Sequence, residues 1–251
     1  MKTLLLIGMG PGHPEQITVQ AINALNRASV LFLLDKGEAK DDLLNLRKAI
    51  CERYIQQPGY RQVQVSDPVR EDSAASYEAG VEHWHKQRAA LFARLIDEEL
   101  GMDECGAFLV WGDPGLYDST LRILERVRAL GGPTFAVEVI PGISSIQVLA
   151  AQHRIPLNRI GEPLRITTGR RLEKADLDNV VVMLDARCAF GQFADQDLEI
   201  YWGAYLGTED ELLVAGKLHE VGERIRRLRE AARRRKGWIM DCYLLRRPLK
   251  S

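Results

Sequence analysis

Thr3-Leu4-Leu5-Leu6-Ile7-Gly8-Met9-Gly10-Pro11-Gly12 runs an apolar stretch straight into a glycine-rich turn. Two later stretches have the same form, Trp111-Gly112-Asp113-Pro114-Gly115-Leu116-Tyr117 and Pro141-Gly142-Ile143-Ser144-Ser145. Each closes a run that reads as a strand and opens one that reads as a helix. Loops leaving the carboxyl ends of parallel strands meet at one crevice, where open α/β sheets bind ligands. Three such loops in one half of the chain predict a single small-molecule site.

Strand and helix signals alternate outward from these turns. Thr3–Ile7 is followed by a helix over Glu15–Arg27, with Ile17, Ala21, Ala24, Leu25 and Ala28 on one stripe. Val30–Leu34 is a strand ending at Asp35-Lys36-Gly37-Glu38. A helix over Asp41–Tyr54, a weakly alternating strand over Gln62–Val65 and a long polar helix over Ser73–Leu100 come next. Ala107–Trp111 and Phe135–Ile140 complete a parallel α/β first domain, residues 1–158. The proline-containing stretch Ile155–Pro163 reads as a linker. Beyond it, strands at Leu164–Thr168, Val180–Leu184, Leu198–Tyr205, Glu211–Ala215 and Trp238–Leu245, with a helix over His219–Arg235, predict a smaller mixed α+β domain, residues 159–251. The ligand is expected in a cleft between the two domains.

Composition narrows the class. The chain has 251 residues, 46% of them apolar, and 34 Lys+Arg against 35 Asp+Glu. Such a balance gives no reason to expect nucleic acid or an anionic membrane. No apolar run approaches the roughly 18–20 residues that span a bilayer. The four scattered cysteines read as reduced packing residues of a cytoplasmic protein, and no metal site is expected. The arginines between Arg224 and Lys236 fit the solvent side of an amphipathic helix whose other face carries Val221, Ile225, Leu228 and Ala232.

The first loop has the outline of a phosphate cradle, and Asp35 stands where a ribose-binding acid would. An NAD(P)-dependent oxidoreductase is therefore one reading. Against it, the spacing is G-x-G-x-G, and Pro11 removes an N–H from the turn that should grip pyrophosphate. A purely structural tight turn is the other local reading.

Taken in order, G-x-G-P-G, G-D-P-x-x-Y and P-G-I-S-S resemble the tetrapyrrole methylases that use S-adenosylmethionine. The likeness extends over nearly the whole chain, including Ile166–Arg170, Val180–Asp185, His153–Pro163 and Tyr201–Thr208. It implies a two-domain fold with the cofactor cleft between a parallel-sheet domain and a mixed one. It also implies cofactor contacts at Pro11, Trp111, Gly112, Asp113, Leu116, Ser144, Ser145, Met183 and Gly216. Met183 equally suits plain core packing. S-adenosylmethionine has no phosphate and offers a carboxylate, an ammonium, hydroxyls and adenine edges, which backbone groups in tight loops can satisfy.

The resemblance further implies a precorrin substrate, a homodimer, and methyl transfer to C1 of precorrin-5 with loss of acetate. Another precorrin, or a non-catalytic tetrapyrrole chaperone, is a competing reading. Deacylation needs a water and a general base. Asp35, Glu38 and Asp118 are the candidates, in or beside loops expected to face the cleft. Arg159, Arg165, Arg170 and Arg171 either hold substrate carboxylates or tie the domains together.

Overall fold

The computed structural model describes residues 1–35, 37, 41–69 and 77–248. Two compact units divide at Ile143/Ser144.

In the first unit, β1 (Lys2–Gly8), β2 (Val30–Asp35), β3 (Arg61–Ser66), β4 (Cys105–Val110) and β5 (Phe135–Ile140) form one parallel sheet in the order β3-β2-β4-β1-β5. Four helices connect them: α1 (Val19–Leu25), α2 (Asp41–Tyr54), α3 (Tyr77–Glu99) and α4 (Thr120–Ala129). Leu5 and Ile7 point to one face and pack with Ala21, Ala24 and Leu25 of α1 and Leu44, Ile50 and Cys51 of α2. Leu4 and Leu6 point to the other, against Phe92, Leu95 and Ile96 of α3 and Ile123, Leu124 and Val127 of α4. A strand covered on both faces must be apolar without alternation, which is why β1 reads Leu-Leu-Leu-Ile. Burying each such side chain contributes roughly 1.5–3 kcal/mol.

The predicted apolar stripe of Ile17, Ala21, Ala24, Leu25 and Ala28 is buried. The helix that carries it is shorter than expected. Pro14–Gln16 forms a separate 3-10 turn, and the Thr18 hydroxyl accepts from Ala21 N–H at 3.1 Å and starts α1 afresh.

In the second unit, β6 (Arg165–Thr168), β7 (Val180–Met183), β8 (Glu199–Ala204), β9 (Leu212–Lys217) and β10 (Asp241–Arg246) order as β6-β7-β10-β8-β9. Only β6–β7 is parallel, so the sheet is mixed as expected. Helix α5 (Ser145–His153) packs on β8 and β10. The sequence places the boundary after Asn158, whereas this packing puts α5 with the later strands. Helix α6 (Leu218–Lys236) buries Ile225 and Ala232, as its periodicity predicts. Arg229 corrects the reading of the α6 arginines as a solvent face. It is buried, with Nε donating to Asp241 Oδ2 at 3.0 Å and Nη2 to the Asp185 carbonyl at 2.8 Å. Among the described residues, no helix is long and apolar enough to cross a membrane.

Candidate functional site

β1 and β4 are hydrogen-bonded neighbours, yet β1 leads to α1 on one face and β4 to α4 on the other. The chain thus turns to opposite faces after these two strands, the switch in topology at which open α/β sheets bind ligands. β5 flanks β1 on its other side, so the three predicted loops meet.

The contact is made by backbone. Gly10 and Gly112 form an isolated antiparallel bridge, with Gly112 N–H donating to Gly10 O at 2.9 Å. Both have positive φ, +82° and +68°, which glycine adopts freely. A Cβ on Gly8 would lie 2.5 Å from Gly142 N, and one on Gly142 would lie 2.1 Å from Gly112 O. Only glycine allows this approach. Asp113 fastens the assembly: Oδ2 accepts from Gly142 N–H at 2.9 Å and Oδ1 from Gly115 N–H at 2.8 Å. The Asp113 side chain therefore holds the second loop to the third. Pro11 is buried, and Trp111 and Leu116 are partly exposed on the same loops.

The other predicted residues are placed as follows. Asp35 ends β2, separated from β1 by β4; its Oδ1 accepts from Gly37 N–H at 2.8 Å and its Oδ2 from Gln64 Nε2 at 3.1 Å. Asp118 follows Tyr117, a non-glycine residue at φ +51°, and its Oδ1 accepts from Thr120 N–H at 2.7 Å at the start of α4. Glu38 lies outside the described residues. In the second unit, Ser144 caps α5, accepting from Ile146 N–H at 3.3 Å, and Ser145 opens that helix. Met183 ends β7 half-buried, and Gly216 lies in β9, with β10 and β8 between them. A Cβ on Gly216 would meet Val221 at 2.9 Å. Arg159 is engaged inside its own unit, with Asp178 at 3.1 Å, Glu162 at 3.6 Å and the Arg247 carbonyl. Arg165 begins β6, and Arg170 and Arg171 sit in the 3-10 turn that follows it.

One set of residues at the strand ends escapes sequence reading. Asp67, just after β3, lies 2.8 Å from Arg88 Nε of α3, and both are buried. Arg88 Nη1 donates to Ser119 Oγ at 3.1 Å, and the guanidinium stacks on Trp84 and Phe92. The backbone N–H of Asp67 donates to the Asp35 carbonyl at 2.7 Å. The one local signal is an aspartate directly after a strand; the pairing depends on the order of β3, β2 and β4.

The donor set indicates which cofactor the loops suit. Their residues include no lysine or arginine, and Pro11 offers no N–H. A pyrophosphate would find little to neutralise it. A ligand with a carboxylate, an ammonium and neutral polar edges fits loops packed to backbone thickness.

Comparison with known proteins gives the same direction. Residues 3–222 match the family of tetrapyrrole (corrin/porphyrin) methylases. A deacetylating precorrin-6A synthase from Sinorhizobium sp is 52% identical over 250 residues, 98% of this chain and 96% of that protein. The crystal structure of a cobalamin synthesis related protein (CobF) from Corynebacterium diphtheriae superposes with a TM-score of 0.84 at 44% identity, covering 98% of both chains. Uroporphyrin-III C-methyl transferase from Thermus thermophilus, complexed with S-adenyl homocysteine, shares the fold at a TM-score of 0.55 and 18% identity, over 97% of this chain and 92% of that one.

Proposed function

The chain belongs to the tetrapyrrole (corrin/porphyrin) methylases, and from that premise we propose that it methylates precorrin-5 at C1 with loss of the acetyl group as acetate, giving precorrin-6A and S-adenosylhomocysteine. It is a methyltransferase of cobalamin biosynthesis, from a family that uses S-adenosylmethionine. The observation that carries the reaction is 52% identity, over 98% of the chain, to a deacetylating precorrin-6A synthase. The oxidoreductase reading is not favoured, since the loops lack a match for pyrophosphate.

S-adenosylmethionine, when bound, supplies a methyl group on a sulfonium. The work of the chain is then to bind and align, and to keep water from the methyl carbon. Gly8, Gly10, Gly112 and Gly142 bring three loops together, and Asp113 holds them. The proposed cofactor contacts are Pro11, Trp111, Gly112, Asp113, Leu116, Ser144, Ser145, Met183 and Gly216. Asp113 also ties the loops, its carboxylate accepting from Gly115 and Gly142 N–H. Loss of acetate asks for a base. Each Asp35 oxygen accepts one hydrogen bond and so keeps a lone pair for a water, and Asp118 keeps Oδ2 beyond its cap to Thr120. Asp35, Glu38 and Asp118 are the proposed proton-handling groups, and Arg165, Arg170 and Arg171 the proposed second-unit substrate contacts. Arg159, which also holds Asp178 and Glu162, is proposed with them. A cytoplasmic homodimer completes the proposal, the dimer being checked by light scattering.

Titration with S-adenosylmethionine and NADH, followed by turnover on a panel of precorrins, tests this reading. Saturable binding of the first and methylation restricted to precorrin-5 is the expected outcome. Tight NADH binding without S-adenosylmethionine binding, or equal methylation of another precorrin, overturns it.

A further inference from the structure

At the strand ends of the first unit, beside the glycine loops, the pairing of two neighbouring strands stops early. β2 and β4 pair only from Val30↔Gly106 to Phe32↔Phe108. β2 stays with β3 as far as Asp35↔Ser66, and β4 stays with β1 as far as Gly8↔Val110. The sheet therefore splits between β2 and β4 toward its carboxyl edge. The Val110 carbonyl accepts from Met9 N–H on the β1 side. Successive carbonyls along a strand point to opposite edges, so that of Leu109 turns to the split, where the β2 ladder has ended.

Arg47, in the middle of α2, fills that place. Its Nε donates to Leu109 O at 3.3 Å and its Nη1 to Leu43 O at 2.9 Å. Arg88 reaches the same strand ends from α3, which covers the other face. The two arginines differ in one respect. Arg88 has the Asp67 carboxylate at 2.8 Å, whereas no carboxylate of the described residues comes within 4.0 Å of Arg47. Among the described residues nothing bonds to Arg47 Nη2, although the residue is only 8% exposed. Burial pushes its guanidinium pKa down, and Asp118 and Asp67 oppose that only from a distance. A largely buried cation that no anion of the described residues contacts is costly, and the cost falls when a ligand supplies the anion.

We propose that Arg47 Nη2 holds a peripheral carboxylate of the tetrapyrrole acceptor in the split between β2 and β4. This assignment rests on the methyltransferase reading. A precorrin carries several carboxylates around its ring, and guanidinium is the side chain best shaped to take one. The split adjoins β4, whose following loop is Trp111–Tyr117. A carboxylate anchored there fixes the ring next to the loops proposed for the methyl donor.

The test compares wild type, Arg47→Lys and Arg47→Met on the acid substrate and on its permethyl ester, with S-adenosylmethionine affinity measured separately. Arg47→Met is expected to raise the acceptor KM about 10- to 100-fold, to change donor affinity less than about twofold, and to lose most of the preference for acid over ester. Arg47→Lys keeps the charge without the fork and falls between. A merely structural role would not move the acid-to-ester ratio. Folded Arg47→Met with the wild-type ratio overturns the proposal; should that variant fail to fold, a wild-type ratio in Arg47→Lys does so. Should wild type methylate nothing, the functional reading fails, and acid and ester binding followed by tryptophan quenching still judges Arg47 by the same ratio.

Discussion

Gly142 concentrates the physics of the site in one missing methyl group. Its Cβ would fall 2.1 Å from the Gly112 carbonyl oxygen, inside a three-way backbone contact with no flexible side chain to give way. Gly142→Ala is expected to cost about 3 kcal/mol by overpacking and to weaken S-adenosylmethionine binding in parallel. At Gly101 the nearest atom is the flexible Glu104 carboxylate at 3.4 Å, so Gly101→Ala is expected to stay within about 0.5 kcal/mol. Urea melts and donor titrations of the pair check this, and equal effects at the two positions would remove the backbone-contact explanation. Asp35 belongs to the same scale. Asp35→Asn keeps the shape and one acceptor but loses the base, so methylation should persist better than acetate release. If both products form at wild-type rates, Asp35 has no part in the chemistry.

At the scale of elements, α6 and the end of α5 separate what is solvated from what is structural. Arg229 shares Asp241 Oδ2 with Trp202 Nε1, which donates at 2.9 Å. Arg229→Met strands a buried carboxylate and should cost about 3–5 kcal/mol, whereas the exposed Arg227→Met should be nearly silent. Matching denaturation midpoints for the two variants would contradict that division. His153, at the end of α5, lies edge-on to Tyr201 and bonds the Trp202 carbonyl at 3.0 Å. Burial holds its imidazole below the ordinary value, against the pull of that bond. The folded state thus binds fewer protons than the unfolded one at mildly acid pH. The stability this residue contributes is present above about pH 6.5 and is lost as pH falls below it. In His153→Gln that part of the loss between pH 7 and pH 5 should disappear; an unchanged slope assigns it elsewhere.

Across the whole molecule, legibility followed locality. β1 and β4 and their glycine turns could be read because a doubly covered strand is continuously apolar and its turn must be small. The break at Thr18 was hidden, because Ile17 keeps the stripe in phase across a non-helical residue. Asp67 and Arg88 are far apart in sequence and pair across the strand ends, and Arg47 reaches Leu109 O from the other face, because β2 lies between β3 and β4, an order that no periodicity encodes. Arg229 was misread for a related reason, since its partner Asp241 arrives on a strand after the helix. Family resemblance reached the cofactor through the loops, and the substrate through the long runs between them.

The most direct test of the whole reading is a single incubation with precorrin-5 and methyl-labelled S-adenosylmethionine, scored for labelled macrocycle, S-adenosylhomocysteine and acetate. The expected result is all three products in equal amounts, each dependent on the enzyme. Methylated macrocycle with no enzyme-dependent acetate, or no label transferred at all, would contradict it.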